Sequence, residues 1–326
     1  MPISYFIQPG SAYLVRHADF NPTPDRFSAP RLMPSNTRLK NELSKKAKKS
    51  LKTATNWISF LSRERDVNFQ NGNSYKGFRL SFVTLTLPGK QMHTHSEIVS
   101  RCLNQFLIRL RAKYGISNYV WKAELQENGN IHFHLILDRY INWKPLRYIW
   151  NQCINLLGYV SRYRETMEKL DFDEYCYWRY QTGNPRAAAV KKAWKYGKET
   201  NWQSPNTTDV HSVKKVKDLV AYVSKYLSKD IAKKKTGPIA DSIEELTGRL
   251  WYCSQSLSKL KRVKVPVSFD NRRYARLLRN CSKVLSIEVD FCELFFFRIP
   301  DLPFEVRRWF LRVLWRHAQS TGYAIP

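Results

Sequence analysis

The sequence predicts an α+β domain built on a central antiparallel sheet of about five strands with helices packed on it. The stretch Arg79-Leu-Ser-Phe-Val-Thr-Leu-Thr-Leu-Pro88 is an apolar strand stopped by Pro88-Gly89. Residues 119–137 hold two strand-like arms broken by Asn128-Gly129-Asn130, the signature of a β-hairpin. Between them, Ser96 to Tyr114 places Ile98, Cys102, Leu103, Phe106, Leu107 and Leu110 on one helical face and ends at Gly115.

Taken in order, residues 1–37 are rich in Pro and Asn and read as an irregular arm, and residues 38–65 switch to a basic helical pattern. A helix is expected from about Lys144 to Leu157, closed by Gly158, and residues 158–205 look like an insertion. The insertion carries an acidic patch and then a basic-aromatic one with Lys191, Lys192, Trp194, Lys195 and Tyr196. Thr207–Val213 reads as a strand, Lys214–Ala232 as a helix and Leu250–Cys253 as a last short strand. The chain should end in an amphipathic helix with Val306, Phe310, Leu311 and Leu314 apolar. The expected division is a basic arm and helix over 1–70, a main domain over 71–270 with its insertion, and a basic helical extension over 271–326.

The 326 residues carry 55 Lys+Arg against 27 Asp+Glu, a net charge of +28. That excess predicts a polyanionic partner, and 17 Phe, 18 Tyr and 10 Trp suit single-stranded nucleic acid, whose bases stack on rings. Lys191, Lys192, Lys214 and Lys215 are candidates for phosphate contact. The six cysteines are scattered with no C-x-x-C pair, which argues against a zinc knuckle or redox motif. No apolar run approaches a membrane span, so a reduced, soluble, cytoplasmic protein with no membrane partner is expected.

Strand alternation puts His132 and His134 on one face, with Phe133 on the other. Two imidazoles beside a carboxylate from the neighbouring strand make a divalent-metal site, although the same pair also describes two half-exposed strand histidines. Register decides which acid joins them. A three-residue Asn128-Gly129-Asn130 loop pairs Gln126 with His132 and Glu124 with His134, so that all four share a face; a two-residue turn would send Glu124 to the other side. Glu124 is the expected ligand, because hard cations prefer carboxylate oxygen, and Gln126 a further or supporting one. His93 and His95 follow the first strand and are expected to face solvent.

Downstream, Asp218-Leu-Val-Ala-Tyr-Val-Ser-Lys-Tyr-Leu-Ser-Lys-Asp230 carries two Tyr-x-x-Lys units offset by four residues. On a helix Tyr222 and Tyr226 stack on one face at the margin of an apolar stripe, flanked by Lys225 and Lys229. A tyrosine hydroxyl, with a pKa of about 10, needs such a nearby ammonium to act as a nucleophile near neutrality.

Phe82-Val-Thr-Leu-Thr-Leu-Pro88, His132-Phe-His134 and Tyr222-Val-Ser-Lys-Tyr-Leu-Ser-Lys229, in that order, resemble the three motifs of HUH-superfamily rolling-circle replication initiators. The paired tyrosines are similar to those of microvirus and related phage initiators, and the run from Glu124 to His134 to that of geminivirus initiators. The resemblance covers roughly residues 78–254. It implies an RRM/ferredoxin-like HUH endonuclease fold, with Mg²⁺ or Mn²⁺ on Glu124, His132 and His134. It also implies attack by Tyr222 or Tyr226 on single-stranded or supercoiled origin DNA to give a 5′-phosphotyrosine. Thr84 and Thr86 would shape the cleft floor or touch DNA. No P-loop is present, so a host helicase would open the duplex and a host polymerase extend the 3′ end, in the host cytoplasm if a phage encodes the chain. A single-strand transposase or plasmid relaxase would use the same parts, and a non-catalytic RRM-like binder would use only the charge and the rings.

Overall fold

The computed structural model describes residues 3–16, 43–62, 64–68, 74–78, 80–126, 128–181, 185–212, 249–265, 269–289 and 292–322. Among these residues the chain forms two compact units, one of residues 1–38, 44–61 and 253–326, the other of residues 39–43 and 62–252.

The first unit joins the two ends of the chain. Strands β1 (Ile3–Gln8) and β2 (Ser11–Arg16) form a hairpin where the sequence suggested an irregular arm. The prolines that prompted that expectation are mostly at Pro22 and beyond, outside the described residues; Pro9 sits in the turn, with Gly10 at φ 83°. Helix α1 (Lys45–Leu61) buries Leu51, Ala54, Trp57, Ile58 and Leu61 and leaves its lysines outward.

The second unit starts with a small hairpin of β3 (Glu64–Asn68) and β4 (Ser74–Phe78). Then comes β5 (Ser81–Leu85), followed by helix α2, which runs as His95–Glu97, a π-helical stretch Ile98–Leu103, and Asn104–Tyr114. All six residues expected to point inward from α2 are buried, and Gly115 ends the helix in the left-handed region at φ 62°. The central hairpin is β6 (Tyr119–Leu125) and β7 (Ile131–Leu137), followed by α3 (Trp143–Ile154) and a short 3₁₀ turn closed by Gly158. The insertion is helical: α4 (Tyr159–Glu168), α5 (Phe172–Gln181) and α6 (Ala187–Glu199) pack on Met167, Tyr175, Val190 and Trp202. Strands β8 (Thr208–Ser212) and β9 (Trp251–Cys253) complete a five-stranded sheet in the order β8-β5-β7-β6-β9.

Odd-numbered residues decide how this sheet packs. Val83 and Leu85 from β5, Trp121 and Ala123 from β6, and Ile131, Phe133, Leu135 and Leu137 from β7 share a core with Phe106 and Leu110 of α2 and Leu146 and Trp150 of α3. Helices therefore cover one face, as an α+β sheet requires. The even-numbered residues, including His132 and His134, project from the other.

The rest of the chain returns to the first unit through α7 (Gln255–Lys259), β10 (Val263–Val265), α8 (Phe269–Arg279), the hairpin β11 (Leu285–Val289) and β12 (Cys292–Phe296), and α9 (Phe304–Ser320). These strands join β1 and β2 in the order β10-β1-β2-β12-β11. The region from residue 271 on, expected to be helical, thus adds the two strands β11 and β12, and Leu250–Cys253 is not the last strand. Val306, Phe310 and Leu314 of α9 are buried as expected, whereas Leu311 is half-buried. Arg279 grips the buried Glu293 at both carboxylate oxygens, at 2.7 and 2.5 Å. No helix among the described residues is long and apolar enough to cross a membrane.

Candidate metal centre

The β6–β7 ladder builds the site, and its register differs from the expected one in an instructive way. Leu125 pairs with Ile131, Glu124 with His132 and Lys122 with His134. The Gln126 N–H then donates to the Asn130 carbonyl at 2.7 Å, so the loop has the expected odd length but begins one residue earlier. The parity survives, and Glu124 keeps the histidine face; the partners move by two, so Glu124 opposes His132 rather than His134. Gln126, expected opposite His132, instead sits half-buried at the base of the loop.

Asn130 is the reason. Its side chain accepts a hydrogen bond from Gln91 N at 2.8 Å and donates to the Gly89 carbonyl at 2.7 Å, while Gln91 Oε1 accepts from Ile131 N at 2.7 Å. These contacts draw Asn130 into the ladder. Gly129, at φ 82°, supplies the turn.

Glu124, His132 and His134 offer ligand atoms that all lie within 4.8 Å of one another. Glu124 Oε2 stands 3.6 Å from His132 Nε2 and 3.4 Å from His134 Nε2, a close approach with room for an ion rather than two good hydrogen bonds. His132 Nε2 is buried and has no hydrogen-bond partner among the described residues. On the far side of the other imidazole, His134 Nδ1 lies 3.2 Å from Thr84 Oγ1. With the proton on Nδ1 the ring donates to Thr84 and turns the Nε2 lone pair toward Glu124. Phe82 stacks on the same ring at 5.5 Å.

The electrostatics favour the ligating protonation states of Glu124 and His134. Burial would raise the Glu124 carboxyl, but contacts from both imidazoles and from Lys122 outweigh it and hold the group well below the usual carboxylate range. Burial lowers the His134 imidazole, Glu124 opposing only in part, so the ring favours its neutral form. An ionised carboxylate and neutral imidazoles are what a divalent cation needs.

The other expected residues fall as follows. Thr84 stands on the site face beside His134, and Thr86 Oγ1 donates to the Thr207 carbonyl at 3.3 Å. Lys191 and Lys192 are exposed on α6. Tyr222, Tyr226, Lys225, Lys229, Lys214 and Lys215 lie outside the described residues. His95, expected in solvent, is buried, and His93 is half-buried with Nδ1 3.2 Å from the Tyr159 hydroxyl. Thr94 and Glu97 form a capping box that starts α2 and turns His95 inward, a signal readable as T-x-x-E.

Lys122 was missed by sequence reasoning. Its Nζ lies 2.6 Å from Glu124 Oε1 in a buried pair. The alternation that places Glu124 on this face places Lys122 there too, so spacing alone could have found it.

Residues 80–231 match the family described as replication-associated protein ORF2/G2P. The similarity to that family spans 152 of the 326 residues, just under half of the chain. The matched segment begins at β5, spans the β6–β7 hairpin and reaches past Tyr222 and Tyr226. It supports the rolling-circle initiator resemblance without singling out the microvirus branch. No curated protein and no solved structure matches the chain.

Proposed function

We propose that this chain is a replication initiator that nicks and rejoins single-stranded origin DNA. The observation that carries this reading is the convergence of Glu124, His132 and His134 on one sheet face, inside the segment matched to a replication family. A carboxylate with two imidazoles suits Mg²⁺ or Mn²⁺, which when bound would draw charge from a scissile phosphate. Glu124 and the two imidazoles hold the phosphate-binding end of the cleft, and Thr84 keeps His134 aimed at it. Tyr222 or Tyr226 supplies the phenolate, with Lys225 and Lys229 stabilising its charge. The phenolate oxygen bonds to phosphorus, the bond to the 3′ oxygen breaks, and a 5′-phosphotyrosine and a free 3′-hydroxyl result. The second tyrosine repeats the step after a round of synthesis, and the freed 3′-hydroxyl displaces the first tyrosine to close the circle.

Lys191 and Lys192, exposed on the insertion, and Lys214 and Lys215 contact the DNA backbone. A host helicase and polymerase act at the nicked origin, in the host cytoplasm if a phage encodes the chain. The separate and joint replacements Tyr222→Phe and Tyr226→Phe test the scheme with a single-stranded origin oligonucleotide. Each single variant should still form a covalent adduct and the double variant none; an adduct from the double variant removes these tyrosines from the mechanism. A non-catalytic RRM-like binder would form no adduct with any variant or with the wild type.

A further inference from the structure

We infer that Lys122 is a positioning residue that confines Glu124 to one free oxygen and thereby sets which divalent cation the site accepts. The inference rests on the metal reading above and goes beyond it. Lys122 Nζ engages Glu124 Oε1 at 2.6 Å, and the two side chains are only 11% and 9% exposed. The other oxygen, Oε2, is the one that faces both imidazoles, 3.6 Å from His132 Nε2 and 3.4 Å from His134 Nε2. One carboxylate oxygen is therefore held by a cation of the protein, and the other is presented to the site.

The residue type matters as much as the contact. Lys122 occupies a buried β6 position opposite His134, between Val120 and Glu124 on the same face. A buried ammonium is costly unless paired, and an apolar residue would fill a strand position without that cost. Its place beside the ligand carboxylate gives the charge a use.

The consequence is geometric. Ca²⁺ takes six to eight oxygens in loose geometry and readily accepts both oxygens of one carboxylate, whereas Mg²⁺ requires near-octahedral single-oxygen contacts at shorter distance. With Oε1 held by Lys122, Glu124 has one oxygen to give, which disfavours the larger ion. Without Lys122 the carboxylate can turn and chelate. Removing the ammonium also makes the site more negative, but that change acts alike on any two divalent ions. The ratio of two affinities isolates the geometry.

The test is calorimetric titration of Mn²⁺ and of Ca²⁺ into the full chain, wild type and Lys122→Met. The preference for Mn²⁺ over Ca²⁺ should fall by roughly tenfold in the variant, the scale of losing a group that orients a ligand. An unchanged ratio overturns the inference. A second measurement needs no folded Lys122 variant: the infrared carboxylate bands of the wild type on Mn²⁺ addition, assigned by subtraction of Glu124→Gln. The wide splitting of a one-oxygen carboxylate is expected, and the narrow splitting of a chelating one overturns the role of Lys122. Failure of the wild type to bind Mn²⁺ at all would instead remove the metal reading, and this inference with it.

Discussion

Glu124 lies directly across the β6–β7 ladder from His132, and His134 faces Lys122 one rung further on. The carboxylate thus sits between an imidazole opposite, a second imidazole on the diagonal and an ammonium two residues away on its own strand. All four groups share a face only because the connecting loop has odd length. The sheet's other face is spent on packing against α2 and α3, so this face is the one left for chemistry.

Thr84 is expected to act through His134. Thr84→Val keeps the shape of the side chain and removes the contact to His134 Nδ1, which stands at 3.2 Å. The loss of folding stability should be about 1 kcal/mol. Mn²⁺ affinity should fall about tenfold, since the ring loses the partner that orients it. Thr84→Ser should recover most of both. Calorimetry and urea unfolding on the three proteins check this, and a metal affinity untouched by valine would make Thr84 a packing residue only.

Gly197 tests the helical insertion. A methyl group there would stand 2.0 Å from Trp202 Cζ3. Alanine gains about 1 kcal/mol of helix propensity. Forcing Trp202 from its place among Tyr163, Tyr175 and Trp194 costs typically 1–3 kcal/mol, so the clash should win. Gly197→Ala should unfold at lower temperature, with an altered near-ultraviolet tryptophan signal. A raised midpoint would mean that Trp202 has room to move.

The core under the β8-β5-β7-β6-β9 sheet was legible because period decides it. Alternation in Ile131–Leu137 assigned both faces of β7, and the spacing from Ile98 to Leu110 assigned the buried side of α2. The parity of the hairpin loop was legible for the same reason. Its exact partners were not, because they depend on Asn130 bonding to Gly89 and Gln91, residues about forty positions away. The N-terminal and C-terminal strands escaped notice for a related reason. β1 and β2 find partners in β10 and β12, almost the length of the chain away, and local composition carries no trace of that pairing. Lys122 was overlooked as an ordinary basic residue in a basic chain, its meaning depending on burial that charge counts do not reveal.

His317 gives a pH dependence. Burial holds its imidazole below the ordinary value of about 6.5, and its Nε2 is buried with no hydrogen-bond partner among the described residues. As pH falls through about 6.5 the unfolded chain takes up a proton that the folded chain refuses, so stability is full above that pH and declines below it, levelling once the folded group titrates. Replacement by Phe, which keeps a ring beside Trp57, should flatten this part of the profile. Urea midpoints at pH 8 and pH 5.5 for the two proteins decide it, and equal slopes would contradict it.

The most direct measurement of the central claim is cleavage of a single-stranded origin oligonucleotide by the full chain, with Mn²⁺ and with a chelator, for the wild type and for Glu124→Gln and the double variant His132→Ala, His134→Ala. The wild type should cleave only with the metal and carry the 5′ end of the DNA covalently. Both variants should lose cleavage while still binding the oligonucleotide, since the basic residues remain. Cleavage that persists in the chelator, or in the histidine double variant at the wild-type rate, would contradict a metal-assisted site on this sheet face.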